Sequence, residues 1–232
     1  MTIKNFEKRI FLGIAGEKEK DWQDKLNDLN KLKTREAALF LERFDQSQRK
    51  KIYRALLNMS IKKIPLCHIS NDMEVEELVF LESKFKTEYF TIHESGFGFL
   101  DKWKGFYKKL YLEMNTDNYV SPKVEVEKIG GFCVDLAHFK IALTNWTQDF
   151  DYIYLRKFRA QYACNHLNGY DNKNNSDLHT VKSLKNFDYL KTLPKFIFGK
   201  IIALEVENNI SQQIKFKRHL VKLLNNLFSE KN

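Results

Sequence analysis

Proline and glycine are scarce in this sequence, with three and nine residues respectively among 232. Such scarcity argues against collagen-like and low-complexity chains, which are rich in both residues. The three cysteines, Cys67, Cys133 and Cys164, are odd in number and far apart, and none forms a Cys-x-x-Cys pair. We therefore expect no disulfide framework, no zinc site built of thiolates, and a reducing, cytoplasmic location.

Long hydrophobic runs are also missing. No stretch approaches the roughly 20 consecutive apolar residues that a membrane-spanning helix needs. Residues 1–9 lack the apolar run and small-residue cleavage site that are typical of a secretory signal. We expect a chain that has no membrane partner and is not secreted. Its 43% hydrophobic and 14% aromatic residues are enough for a sizeable core.

Acidic residues are outnumbered by basic ones. The chain has 39 Lys and Arg against 30 Asp and Glu, which gives a net charge of +9. One interpretation is a polyanionic partner such as nucleic acid, since clustered Lys and Arg displace counterions from phosphates. The other is a lysine-rich composition imposed by an AT-rich genome. The sequence leaves both interpretations open.

Eight short apolar runs, each about the length of a buried strand, alternate with segments of helical periodicity. Alternation of this kind predicts parallel strands joined by helices, and eight units close most simply as a barrel. We therefore predict a single α/β domain over 1–232, a compact (β/α)8 TIM barrel with some shortened crossover helices at 94–108 and 115–130. The runs are 9–13, 36–41, 64–68, 89–93, 110–113, 131–135, 162–166 and 201–205, and the predicted helices are 21–33, 45–59, 72–85, 144–158 and 211–228.

Six of the eight runs end in a residue that can bind a metal. The carboxyl ends of the strands meet at one mouth of such a barrel, which is where its active sites lie. Buried imidazoles and carboxylates are costly unless a cation or close pairing compensates them. The set therefore predicts a metal centre, and imidazole with carboxylate suits Zn²⁺, Mn²⁺ or Fe²⁺ better than Ca²⁺. The six residues are His68, His93, Glu113, Asp135, His166 and Glu205, and His138, Asp177 and His179 lie nearby in sequence.

In its ordered series of His, His, Glu, Asp-x-x-His, His, Asp-x-His and Glu, the chain resembles the xylose-isomerase-like TIM-barrel superfamily. That superfamily contains sugar isomerases and epimerases as well as the endonuclease IV type of abasic-site nuclease in DNA repair. The resemblance extends over almost the whole chain in strand order. The motifs that carry it are Leu112-Glu113-Met114-Asn115, Val134-Asp135-Leu136-Ala137-His138, His166-Leu167-Asn168, Asp177-Leu178-His179 and Leu204-Glu205.

The resemblance to the endonuclease IV branch implies up to three zinc ions. It implies an enzyme that hydrolyses a phosphodiester of abasic-site DNA with a zinc-activated water, and the positive charge would assist DNA binding. Glu113 would bridge two of the metals. The implied ligand sets are His68, His93 and Glu113 for the first metal; Glu113, Asp135, His166 and Glu205 for the second; and His138, Asp177 and His179 for the third.

The resemblance to the sugar-isomerase branch implies one metal and a small sugar or sugar phosphate as substrate. Glu113 and Glu205 would then be the catalytic residues, as proton-transfer groups on either side of the substrate. His68 and His93 are not expected in that branch, and they favour the nuclease. The sequence also lacks the Pro-Gly after His93 and the glycine-rich turn after His179 that nucleases carry. A trimmed nuclease, another metal phosphoesterase, an isomerase and a binding-only barrel all stay open, as does the oligomeric state.

Overall fold

The computed structural model describes residues 5–16 and 18–229. Nine of the strands in these residues form one parallel sheet, and β9 and β10 form a separate antiparallel hairpin. The strands are β1 (Ile10–Phe11), β2 (Gly13–Ile14), β3 (Ala38–Phe40), β4 (Leu66–His68), β5 (Tyr89–His93), β6 (Leu110–Glu113), β7 (Gly131–Asp135), β8 (Tyr162–Leu167), β9 (Gly169–Asp171), β10 (Ser176–Leu178) and β11 (Ile201–Leu204).

The parallel sheet curls into a nearly closed barrel. Its strand order is β1-β11-β8-β7-β6-β5-β4-β3-β2, so the two edge strands are consecutive in the chain and only Leu12 separates them. The prediction of eight strands is wrong in number, because the first predicted strand, 9–13, splits in two. The split occurs because β1 pairs with β11 whereas β2 pairs with β3, so the chain changes partner at Leu12. The architecture is compatible with a TIM-like barrel.

The seam between β2 and β11 depends on Gly13. A Cβ atom at this position would lie 1.8 Å from the carbonyl oxygen of Leu204, so only glycine permits the approach. The Gly13 N–H donates to Oε1 of Gln213 (2.8 Å), and Nε2 of Gln213 donates back to the Gly13 carbonyl (3.1 Å). A buried side chain of the last helix thus satisfies backbone groups that a strand would otherwise satisfy.

The described residues contain six α-helices, and four of them match the predicted helices to within a few residues. Asp45 is the N-cap of α2, where its carboxylate accepts from the Gln48 N–H (2.9 Å). The predicted helix 144–158 contains α5 but is too long, because Trp146 adopts a left-handed conformation (φ 52°) that ends α4 before α5 begins. The helices are α1 (Glu19–Lys31), α2 (Gln46–Leu57), α3 (Val75–Phe85), α4 (Leu136–Asn145), α5 (Gln148–Tyr154) and α6 (Ile210–Ser229).

Several crossovers are shortened, as predicted. The segment after β5 forms only 3₁₀ turns at Glu94–Trp103 and Tyr107–Lys109, and the segment after β6 only one at Val126–Lys128. The long connection after β8 holds the β9–β10 hairpin and then 3₁₀ turns. No helix in the described part of the chain is both long and apolar enough to span a membrane.

The hydrophobic core has two parts, one between the sheet and the helices and one inside the barrel. The inner part contains Phe40, Tyr111, Cys133 and Cys164. Because side chains alternate along a strand, the residue two positions further on points into the barrel above this layer. Alternation therefore places a ring of polar side chains over the apolar interior: Glu42 above Phe40, His68 above Leu66, Glu113 above Tyr111, Asp135 above Cys133, His166 above Cys164 and Glu205 above Ala203.

Candidate metal centre

Strand register brings the polar residues together at the carboxyl ends of the strands. Asp135 pairs with His166 across β7 and β8, and His93 pairs with Glu113 across β5 and β6. Leu204 pairs with Leu167, so Glu205 emerges directly beside the end of β8. His68, Glu113, Asp135, His166 and Glu205 are all buried. The fold thus gathers five of the predicted ligands in one enclosed place.

Glu113 and His166 form the centre of this cluster. Nδ1 of His166 lies 2.9 Å from Oε2 of Glu113 and 3.3 Å from Oε2 of Glu205. Nδ1 of His68 lies 3.5 Å from the same Glu113 oxygen. One carboxylate oxygen of Glu113 therefore faces two imidazoles, while its other oxygen lies 3.6 Å from Nδ1 of His138.

The donor atoms of the cluster lack partners. Both ring nitrogens of His68, both of His166, and Oε2 of Glu113 are buried with no hydrogen-bond partner within the described ranges. Buried polar atoms in native proteins are nearly always satisfied, because an unsatisfied one costs about 1–3 kcal/mol. Several such atoms facing one another fit a bound cation, which would satisfy all of them at once.

Three overlapping groups of described residues have the spacing of a metal site, since their ligand atoms all lie within 4.8 Å of one another. The group of four is the same set that the resemblance implies for the second metal. Four residues, His68, Glu113, His166 and Glu205, each belong to two of the groups. A carboxylate could be shared between neighbouring ions through its two oxygens, whereas a neutral imidazole could serve only one ion. The groups are His68 with Glu113 and His166; Glu113 with Asp135, His166 and Glu205; and Glu42 with His68 and Glu205.

Sequence reasoning missed Glu42. The second apolar run ends at Leu41, and Glu42 is the next residue, although β3 itself stops at Phe40. Oε2 of Glu42 is buried, lies 3.7 Å from Nδ1 of His68, and has no hydrogen-bond partner in the part of the chain described. The signal was the alternation from Phe40, which places position 42 on the inner face.

His93 lies next to His68 but belongs to none of the three groups. The centroids of the two rings are 4.7 Å apart, and Nδ1 of His93 is buried without a hydrogen-bond partner among the described residues. In the group that contains His68 and Glu113, the third ligand is His166 instead. The role of His93 as a metal ligand stays a prediction.

The side chains of the predicted third ligand set lie in a row, with Asp177 between the two histidines, rather than in a compact group. Asp177, on the β9–β10 hairpin, places Oδ2 at 3.0 Å from Nε2 of His179 and 3.9 Å from Nε2 of His138. The hydrogen bond to Asp177 raises the pKa of His179 to about 9. Burial opposes protonation of His138, but Asp135 and Asp177 still raise its pKa to about 10. The structure thus pairs these groups with one another, and their role as a metal site stays a prediction.

Electrostatics at the centre separates the ligands into two kinds. Burial lowers the pKa of His68 well below its ordinary value, so this imidazole is neutral and able to coordinate. Burial opposes ionisation of Glu113, but the imidazoles of His166 and His68 outweigh it and hold the pKa of Glu113 well below its usual range. Glu113 is therefore an ionised carboxylate at neutral pH.

Asp135, Glu42 and His166 bind protons more tightly than usual, so protons would compete with a cation for these three groups. Burial raises the pKa of Asp135 to about 6, and burial together with Glu205 raises that of Glu42 to about 8. Burial opposes protonation of His166, but the neighbouring Cys133, Glu113 and Glu205 raise its pKa well above the ordinary value. The centre therefore accumulates carboxylates whose charges repel one another unless protons or cations compensate them.

Asp135 is held in place from two sides. Its Oδ1 accepts from the backbone N–H of His138 (2.8 Å) and so caps the start of α4. Its Oδ2 accepts from Nδ2 of Asn168 (3.1 Å). Second partners of this kind orient a ligating carboxylate.

Comparisons with known proteins add no family assignment. Neither a protein-family model nor a curated protein sequence matches this chain. The resemblance to the xylose-isomerase-like superfamily therefore rests on the order of the polar residues in the sequence and on a nearly closed parallel barrel with which it is compatible. Membership of that superfamily stays a prediction.

Proposed function

We propose that this protein is a metal-dependent phosphodiesterase that cleaves DNA at abasic sites and uses zinc ions at the mouth of its barrel. The single observation that carries the proposal is the sharing of Glu113 between two overlapping ligand groups, one with His68 and one with Asp135 and Glu205. Two ions bridged by a carboxylate lie about 3.5–4 Å apart, which is the spacing used for phosphoryl transfer.

Individual side chains of the centre have different roles in the proposed reaction. Glu113 offers one oxygen to His68 and His166 and the other to His138, so it is placed to hold ions on both sides. Asn168 orients Asp135 in the second set. When bound, the ions supply a nucleophilic water of lowered pKa and positive charge near the phosphate oxygens. The net charge of +9 favours the approach of a polyanion such as DNA.

A sugar isomerase or epimerase is the second candidate, and one observation favours it. Glu113, Asp135, His166 and Glu205 form the only one of the three groups with four ligands, which suffices for a single ion. Glu113 and Glu205 lie on either side of Nδ1 of His166, at 2.9 and 3.3 Å. Two carboxylates in this arrangement suit proton transfer next to a metal-polarised carbonyl.

The test is cleavage of two phosphodiesters by the zinc-loaded protein: a fluorescent duplex with one tetrahydrofuran abasic site, and bis(p-nitrophenyl) phosphate. We expect cleavage that a chelator abolishes. Glu113→Gln should reduce the rate by at least about 100-fold, because it removes a group that stabilises charge at the centre. Glu76→Gln is the matched control, because Glu76 is exposed on α3, and it should leave the rate unchanged.

His68→Ala separates the two candidate functions. In the phosphodiesterase it removes a ligand of one of two ions, so cleavage should be lost. In the single-metal isomerase it should be tolerated, because His68 is not a member of the four-ligand group. His219→Gln, on α6, is the control for loss of a histidine. Failure of the loaded wild-type protein on both phosphodiesters, with turnover of a ketose, would replace the first proposal by the second.

A further inference from the structure

Glu42 enters the mouth of the barrel from a strand that contributes none of the nine ligands implied by the resemblance. Beyond the end of β3, the Leu41 N–H still donates to the carbonyl of His68 (2.8 Å), so the chain continues alongside β4. Phe40, two residues earlier, lies in the barrel interior and packs against His166 (ring centroids 5.0 Å apart). Glu42 is thereby held above the ring of Phe40 and against His68.

The two carboxylate oxygens of Glu42 have different surroundings. Oε1 lies on the outer side, 3.7 Å from Nε of the partly exposed Arg43. Oε2 points inward, 3.7 Å from Nδ1 of His68, and is buried with no hydrogen-bond partner among residues 5–16 and 18–229. Both nitrogens of the buried His68 lack partners as well. An unpaired carboxylate oxygen and an unpaired imidazole facing each other are the donors of a metal site.

The spacing of the group also fits an ion. Glu42, His68 and Glu205 offer ligand atoms that all lie within 4.8 Å of one another. Ligands about 2.0–2.2 Å from a common zinc ion are at most about 4.4 Å apart, so small side-chain movements suffice to close the site.

Charge balance gives an independent reason. The metal centre contains the carboxylates of Glu113, Asp135 and Glu205, and Glu42 adds a fourth. Its imidazoles are neutral when they bind a cation. Four carboxylates match the charge of two divalent cations that carry neutral water, the state in which no hydroxide has yet formed. Uncompensated charge in the interior is costly. With Glu42 as a fourth carboxylate, the two-ion centre is neutral before its bound water ionises.

We propose that Glu42 is a further metal ligand, which with His68 and Glu205 holds one of two divalent ions at the mouth of the barrel. The inference rests on the metal centre of the proposed function and deepens it, because it assigns a ligand from β3. Under this proposal, Glu42 is necessary for full occupancy of the two-ion centre but not for folding.

The experiment measures zinc binding to the full chain. Each protein is stripped with a chelator, equilibrated with buffered free Zn²⁺, and analysed by mass spectrometry for bound zinc and by competition with a chromogenic chelator for affinity. We expect two or more ions in the wild-type protein. Glu42→Gln should lose one ion or bind it at least about 10-fold more weakly. Glu42→Asp, which keeps the charge, should restore part of the affinity.

Glu36→Gln is the matched control, because Glu36 precedes the same strand, at its opposite end, and is exposed. It should bind zinc as the wild type does. Circular dichroism of the stripped proteins shows whether the variants fold, and Glu42→Asp provides the measurement should Glu42→Gln fail to do so.

Three results would overturn the inference, and they are distinguishable from one another. Unchanged zinc number and affinity in a folded Glu42→Gln, with wild-type cleavage intact, removes Glu42 from the centre and leaves the proposed function standing. A wild-type protein that binds no zinc removes both together. A Glu42→Asp variant that binds zinc no better than Glu42→Gln also contradicts the role of the carboxylate charge.

Discussion

Nδ1 of His166 lies 2.9 Å from Oε2 of Glu113, and both side chains are buried although their strands, β8 and β6, are separated by β7. Their orientation leaves both atoms without a hydrogen bond among the described residues. Glu113 is ionised, because neighbouring imidazoles lower its pKa, and the pKa of His166 is raised against the effect of burial. At neutral pH His166 therefore keeps a proton beside the ionised Glu113. A cation bound at this position would have to displace the proton of His166.

The first prediction concerns the pH dependence of zinc affinity. Burial raises the pKa of Asp135 to about 6, and that of Glu42 to about 8, and His166 also holds its proton at neutral pH. Each displaced proton makes affinity rise by up to about tenfold per pH unit below the pKa of its group. We expect affinity to rise by at least about 100-fold between about pH 5.5 and about pH 7.5. Competition with a chelator of known protonation measures it, and a flat profile would contradict the prediction.

The second prediction is that replacing Asp135 stabilises the metal-free protein and weakens its binding of zinc. Its pKa in the folded chain is above its ordinary value, so ionisation destabilises the metal-free fold above about pH 6 and costs nothing below about pH 4. Asn keeps the Oδ1 atom that caps α4. Asp135→Asn should therefore stabilise the stripped protein by about 1–3 kcal/mol at pH 8 and much less at pH 4. It should also weaken zinc binding.

Urea unfolding of the stripped protein at both pH values measures this effect. Asp101→Asn, an exposed position, is the control and should change neither stability nor zinc binding. A loss of stability at pH 8 on replacing Asp135 would show that its hydrogen bonds outweigh the repulsion from Glu113 and Glu205.

The third prediction tests the seam of the barrel. In Gly13→Ala the new Cβ would meet the Leu204 carbonyl oxygen at 1.8 Å, so β2 and β11 must move apart and the bonds to Gln213 must lengthen. We expect a loss of about 3 kcal/mol or more, or a chain that does not fold. Gly98→Ala is the control, since a Cβ there meets nothing within 4 Å. Equal stability of the two variants would contradict the described closure.

Much of the fold could be predicted because its signals are local. Short apolar runs that end in His68, His93, Glu113 and Asp135 become β4 to β7, with these residues as the last of each strand. Cys133, two residues before Asp135 on the same strand, lies in the inner core, as alternation along a strand requires. The break at Trp146 could not be predicted, because a left-handed residue leaves the apolar periodicity of its neighbours unchanged.

The sequence by itself determined which residue types stand at the ends of the buried strands, because strand length and alternation depend on neighbours in the chain. Only the tertiary structure decided which of them share a space. It placed Glu42 beside His68 and Glu113 between two imidazoles. It also paired Asp177, on the β9–β10 hairpin, with His179. Those distances depend on register, on barrel closure at Gly13 and on loop paths, which are contacts between residues far apart in sequence.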